Sequence, residues 1–350
     1  MINSTSMNVA SAAVFNITTE KSALITATNV ALLVLGVISI VGNGFLLLVI
    51  ARYQKLRNNL CTLLIGILAI ADLGSGIGLL DRGLVELIWE MNGYYNYNKG
   101  ECLALGFMSL FSVHMGQFIT AFIAFDRLDA VRDPFGYATK NKLKRAQIAL
   151  VVTVSYSLFG MGIAFIGVDF SEHPDTCATG SCVLNLYAMY WVTFAMGVAI
   201  AIVYAYVKTT LILRRKMHAS STSVVEKREL SRQVAVFKTI RLVLFVYAVS
   251  WCLPNFQLII VTVMNSATGI GYISSLIAVG TGINSSVNVL IYACKHREIG
   301  GHMRKFFCSY NNGVTTLHNS QARRSTTVTM PARPSLRIDN PRQNDMPSKT

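Results

Sequence analysis

The sequence predicts an all-α membrane protein built as a seven-transmembrane helix bundle, and three observations carry that prediction. Of its 350 residues, 53% are hydrophobic and only 14% charged, with a mean hydropathy of +0.47; soluble domains usually carry about 25% charged residues. Uncharged runs recur along the chain: Ser22–Ala51, Asn58–Leu80 (Asp72 apart), Leu103–Phe125, Ala146–Val168, Thr176–Val207 and Leu242–Cys294. A helix needs about 20 residues to cross a bilayer core. The last run therefore holds two spans, divided at the turn-rich segment Asn265–Gly271. Positive charge also collects in alternate loops, at Arg52–Arg57, Arg127–Arg145 and Lys208–Arg241, while the intervening loops hold Lys99 and the acidic Asp169, Glu172 and Asp175. This asymmetry puts the basic loops in the cytoplasm, the N-terminus outside and the C-terminus inside, as expected of a multi-pass plasma-membrane protein. The formal charge of +14 is thus a topology signal and not the footprint of a nucleic-acid partner.

Residues 1–21 form a polar extracellular tail without the basic start and apolar centre of a signal peptide, so the first span serves as the insertion signal. Asn3 and Asn16 head glycosylation sequons in this tail. The spans are expected at about 23–52, 59–88, 102–127, 146–168, 185–213, 233–264 and 272–294. Span one carries Gly42-Asn43, and an amide in hydrocarbon needs a polar partner inside the bundle. Span two offers one in Asp72, within Leu68-Ala-Ile-Ala-Asp72; an ionisable residue at mid-membrane is either a functional site or a hydrogen-bond hub. Asp81 and Arg82, further along span two, stand either at the mouth of a ligand cavity or in interfacial water.

Span three runs from Cys102 to Asp126-Arg127-Leu128, with Ser109, His114 and Gln117 as interior polar positions. At about 1.5 Å per residue, Cys102 and Arg127 stand roughly one membrane thickness apart. His114 has no second His or Cys at ligand spacing, so no metal site is expected. Span six contains Ser250-Trp251-Cys252-Leu253-Pro254, where the proline removes a backbone hydrogen bond and bends the helix. Span seven carries Asn284, Ser285 and Asn288 as a polar stripe able to face Asp72, and ends in Asn288-Val-Leu-Ile-Tyr292. Residues 295–308 alternate basic residues with Ile299, Met303, Phe306 and Phe307, which suits a short amphipathic helix on the membrane surface. Cys308 beside it is a candidate for palmitoylation. Residues 309–350 are rich in Ser, Thr, Asn, Arg and Pro and are expected to be a disordered cytoplasmic tail.

Gly42-Asn43, Leu-Ala-x-Ala-Asp72, Cys102, Asp126-Arg127, Tyr204, Pro254 and Asn288…Tyr292 fall in the order and helices of one family's motifs. Across residues 24–308 the chain resembles the rhodopsin-like (class A) G-protein-coupled receptors. It departs from them in having no central tryptophan in span four and no proline in span five. Trp251 is shifted one place from the usual position, so that Cys252 stands where the aromatic should be, and valine replaces the proline of Asn-Pro-x-x-Tyr. Those departures, with Asp-Arg-Leu for Asp-Arg-Tyr, are similar to the nematode chemosensory receptors of the Srsx type.

The resemblance implies a receptor that senses an extracellular ligand and activates a heterotrimeric G protein, with Asp126, Arg127, Tyr204, Asn288 and Tyr292 in coupling. It implies a sodium ion as the one candidate cofactor, among Asn43, Asp72, Asn284, Ser285 and Asn288. It places a ligand cavity near Asp81, Arg82, Ser109 and His114, and Ser109 stands where amine receptors carry an aspartate, which argues against a biogenic amine. It also implies a disulfide from Cys102 to Cys177 or Cys182; Cys182 is favoured because the loop would then span the cavity mouth. Kinases and an arrestin are expected partners for Arg323-Arg324-Ser325-Thr326-Thr327. At the base of span six, where relatives carry an acidic latch for the arginine, stands Val234, so only Asp126 is left to restrain Arg127. A neuropeptide receptor of the same fold is the alternative. A membrane transporter is disfavoured because only Asp72 and His114 are ionisable near mid-span. No paired carboxylates or nucleophile elbow point to an enzyme.

Overall fold

A computed structural model shows the chain as a helical bundle. It describes residues 4–174, 177–219, 234, 241–242, 245–264, 267–296 and 298–306, with side chains described from residue 25 onward except at 217–219, 251, 262 and 267–272. Asn3, Cys308 and the tail with Arg323–Thr327 lie outside the described residues, as do the side chains of Asn16 and Trp251. Met1–Arg304 form one compact unit; of the second, Lys305–Thr350, residues 305 and 306 are described and are helical.

The elements are α1 (Ser4–Arg52), α2 (Gln54–Arg57), α3 (Leu60–Met91), α4 (Lys99–Arg132), α5 (Pro134–Thr139), α6 (Lys142–Ala164), α7 (Thr179–Cys182) and α8 (Asn185–Ala219). A π-helical turn (Ala248–Cys252) then leads into α9 (Leu253–Val263), followed by α10 (Ala267–Lys295) and α11 (298–306). Among the described residues, six helices are long and apolar enough to cross a membrane: α1 from Ile25, α3, α4, α6, α8 and α10 from Ile273. The shorter apolar stretch Phe245–Val261 supplies the seventh. No strand occurs among the described residues.

Local chemistry sets the boundaries. Asn98 caps α4 by accepting from the Glu101 N–H at 2.9 Å, while Glu101 Oε2 accepts from the Asn98 N–H at 2.9 Å. This reciprocal cap starts the helix a turn before the apolar run, and such caps contribute about 1 kcal/mol. Asn59, Asp133 and Asn141 cap α3, α5 and α6 one way only, each side chain accepting from an N–H of the first turn. α1 begins at Ser4, well before the apolar segment, so the expected polar tail is helical in backbone.

Packing order follows the chain. α1 lies on α3 and α10, α3 on α4, α4 on α6 and α8, α8 on α9, and α9 on α10. α4 is therefore the central helix. Close approach of α3 to its neighbours depends on glycines. A Cβ at Gly76 would stand 2.9 Å from the Ser39 Cβ and 3.0 Å from the Gly36 oxygen on α1, and one at Gly78 would stand 2.6 Å from the Ser109 nitrogen on α4. Helices in lipid gain little from hydrophobic attraction to each other, so such backbone proximity is what holds them. The outward faces, including Val34, Val41, Leu48, Phe159 and Ile200, remain apolar and exposed, as lipid requires.

Candidate functional site

At the arginine end of α4, Asp126 is buried to 4% exposure. Arg127 donates from Nε to Asp126 Oδ2 at 3.1 Å and also meets that oxygen through Nη2. The same Nη2 donates to the Tyr137 hydroxyl at 3.0 Å, and this hydroxyl donates to Asp126 Oδ2 at 3.2 Å. The expectation that Asp126 alone restrains Arg127 is thus corrected: a phenol shares the task. Pro134 at the start of α5 and the Asp133 carboxylate, which accepts from the Gly136 N–H at 3.0 Å, wind the loop into the turn that delivers Tyr137. Burial pushes the Tyr137 pKa above that of an ordinary phenol, so the hydroxyl stays a donor. The Asp-Pro pair was the sequence signal for this turn; nothing in the sequence gave its direction.

Tyr204, grouped with coupling on resemblance, stands elsewhere. It is 54% exposed on the outside of α8, its ring centroid 5.7 Å from the Lys208 ammonium. α8 lacks the proline that would disturb its register, so it runs unbroken and Tyr204 stays outward. Tyr292 is buried near the end of α10.

Midway along the bundle, Asp72 Oδ2 accepts from Asn288 Nδ2 at 3.0 Å. Asn43 Nδ2 donates to the Ser285 carbonyl at 3.3 Å and to Ser39 Oγ at 3.1 Å, and the Ser39 hydroxyl donates to the Asp72 carbonyl at 2.8 Å. Asn43, Asp72, Ser285 and Asn288 thus join α1, α3 and α10 in one buried network, as the polar stripe predicted. Ser39, one helical turn before Asn43, is the member sequence reasoning missed. The Oδ1 atoms of Asn43, Asn284 and Asn288 accept no hydrogen bond among the described residues. A carboxylate beside unengaged amide oxygens is a donor set suited to a hard cation.

The bend at Pro254 takes the form of the π-turn, with the Leu253 N–H reaching back to the Ala248 carbonyl. Proline has no N–H to give the carbonyl four residues earlier, that of Ser250. That carbonyl points at Gly280 of α10, where any Cβ would collide with it. Cys252 is half-buried. An indole from α8 is bonded to this bend: Trp191 Nε1 donates to Asn255 Oδ1 at 2.8 Å.

At the opposite end, Cys102 is bonded to Cys177, with Cα atoms 5.2 Å apart. The favoured pairing with Cys182 is overturned. Cys182 is a buried free thiol on α7, and burial pushes its pKa up to about 11. The physical reason is that α7 itself bridges α4 and α10. Thr179 packs against Gly106, and the Gly180 N–H donates to Ser274 Oγ at 3.0 Å, so Cys182 is spent on packing after the crosslink. Arg82 is 6% exposed; its Nε donates to Glu86 Oε1 at 2.7 Å and its Nη2 to the Cys177 carbonyl at 2.8 Å.

The four residues expected to line a cavity do not converge. Asp81 is exposed, Arg82 holds the loop, and Ser109 packs against Gly78. His114 is buried deeper, its Nε2 3.1 Å from the Tyr187 hydroxyl and its ring edge-on to Tyr156 and Trp191. No group of three or more His, Cys, Asp or Glu residues could hold a metal among the described residues.

Comparison with known proteins agrees with this geometry. The family described as "Serpentine type 7TM GPCR chemoreceptor Srsx" matches residues 36–307. Trace amine-associated receptor 6 of Mus musculus is 22% identical over 312 residues, covering 84% of this chain and 86% of its own. The ultraviolet-sensitive opsin of Melopsittacus undulatus is 27% identical over 210 residues, 55% of this chain and 58% of the opsin. Short-wave-sensitive opsin 1 of Homo sapiens is 24% identical over 221 residues, again covering little more than half of each chain. The chain therefore belongs to the Srsx family of seven-transmembrane G-protein-coupled receptors.

Proposed function

We propose that this receptor is chemosensory, stands in the plasma membrane with its N-terminus outside, takes its ligand at the Cys102 end and passes the signal to a heterotrimeric G protein at the Arg127 end. The observation that carries this reading is the Asp126–Arg127–Tyr137 cluster: a permanently charged guanidinium held by two partners it can leave, at one end of the central helix. The residues at that end argue against a biogenic amine as the ligand. An ammonium needs a carboxylate, position 109 is a serine packed on Gly78, and Glu86 is committed to Arg82.

Asp72, Asn284 and Asn288 would hold a sodium ion, which supplies the positive charge the buried carboxylate lacks among the described residues. Phosphorylation between Ser325 and Thr327 would add about −1.5 to −2 charges per site and recruit an arrestin. The test is a ligand screen in cells reporting both cAMP and calcium, run with wild type and Arg127→Ala at matched surface level. A response confined to wild type is expected. Uptake or current in cells lacking the G protein would reject the receptor reading.

A further inference from the structure

A groove of about 470 Å³ opens between α3, α4 and α6 at the arginine end. Its walls are apolar, formed by Leu64, Phe125 and Ile148 among others, and two of these stay open to the outside, Phe125 at 44% and Ile148 at 49% exposure. Two guanidiniums, Arg132 and Arg145, stand in its lining. Asp126 and Asp129 also line it, but neither leaves free negative charge. Asp126 is paired with Arg127, and Asp129 is shared by Lys140 at 2.8 Å and Arg145 at 3.0 Å. Arg145 Nη1 is buried and, though close to Asp129, makes no aligned hydrogen bond. Arg132 is exposed and has no partner among the described residues. Between 126 and 145 the chain carries six cations against three carboxylates.

An apolar slot with surplus positive charge at its rim matches an amphiphile that has an anionic head and a hydrocarbon tail. We propose that this groove binds an anionic phospholipid, its phosphate between Arg132 and Arg145 and an acyl chain along Phe125 and Ile148. The cytoplasmic leaflet is where such lipids concentrate, so the lipid source rests on the orientation proposed above; the groove's chemistry does not. Arg145 lies 5.5 Å from the Tyr137 ring centroid. A bound phosphate therefore sits one residue away from the cluster restraining Arg127.

The experiment uses the full-length receptor in nanodiscs and reads lipid binding, not signalling, so the function and orientation proposed above can fail independently. Native mass spectrometry after exchange into phosphatidylcholine should show retained phosphatidylserine on wild type and at least about tenfold less on Arg132→Gln/Arg145→Gln. Ile148→Trp, which fills the slot and keeps both charges, should lose it as well, while Lys142→Gln should not. Should these variants misfold, a photoactivatable acyl-chain phosphatidylserine on unaltered receptor decides the matter: crosslinks at Phe125, Ile148 or Leu64 support the site, and crosslinks scattered over the bundle overturn it. Retention unchanged in the double arginine variant overturns it. So does sterol bound equally by wild type and that variant in place of phospholipid, and so does soluble inositol phosphate binding as tightly as the lipid.

Discussion

Two guanidiniums, one buried and one half-buried, sit at opposite ends of the bundle and are held in different ways. Arg82 is fixed by Glu86 on its own helix and by the carbonyl of Cys177, a residue covalently anchored to α4. Arg127 is held by its chain neighbour Asp126 and by one phenol from a six-residue helix. Both arginines are satisfied by hydrogen bonds, but the carbonyl that receives the first is pinned to α4 by a disulfide, whereas the phenol that receives the second sits on a six-residue helix. The contrast assigns stiffness to the disulfide end and a breakable restraint to the arginine end.

The sharpest way to break this contrast is to cut the covalent anchor. Cys177→Ala is expected to lower stability by about 2–4 kcal/mol and to deplete surface receptor, whereas Cys182→Ala should leave surface labelling near wild type. Equal loss in both variants would show that the pairing is wrong. Next, Arg82→Met strands the half-buried Glu86 carboxylate and should cost about 1–3 kcal/mol. Thermal denaturation in detergent should show part of this recovered when Glu86→Gln is added, because the two residues are directly coupled.

At the other end the effect should be on signalling, not folding. Asp126→Asn should raise ligand-free activity by up to about tenfold, equivalent to about 1.4 kcal/mol of restraint; an equally silent variant present at the surface would remove the latch. Tyr137→Phe loses only the phenol's hydrogen bonds, about 0.5–1.5 kcal/mol, so basal activity should rise two- to several-fold by the same reporter assay. The smallest effect is expected at Cys182, whose thiol pKa is pushed up to about 11 by burial. Iodoacetamide at about pH 8 should leave Cys182 unlabelled in folded receptor while labelling the exposed Cys294, as read by peptide mapping, since only thiolate reacts.

Much of this was legible in the sequence because the bilayer imposes coarse rules. Runs of uncharged residues marked the helices, and polar residues stranded in hydrocarbon had to find one another, so Asn43, Asp72 and Asn288 could be grouped before any coordinates. The disulfide partner was not legible. Cys177 and Cys182 are five positions apart in one loop, and what separates them is a four-residue helix with no apolar period to betray it. The outward direction of Tyr204 was illegible for the opposite reason: the motif spacing is kept, while without the proline the helix's register stays undisturbed. Ser109 likewise pointed to a cavity only while Gly78, which receives it, was unplaced. Side-chain direction across a helix pair depends on rotation about the helix axis, and a hydropathy pattern fixes that angle only loosely.

The meeting of the Ser250 carbonyl with Gly280 bears on how far helix six can travel. A bend made by proline alone would be a soft joint with no preferred limit. Here the Ser250 carbonyl oxygen faces bare backbone, so the joint has a mechanical stop on the side facing α10. Any side chain at position 280 would move that stop outward. Residue 280 thus sets the zero of the hinge, the angle from which every excursion of the helix is measured, although it touches neither ligand nor partner.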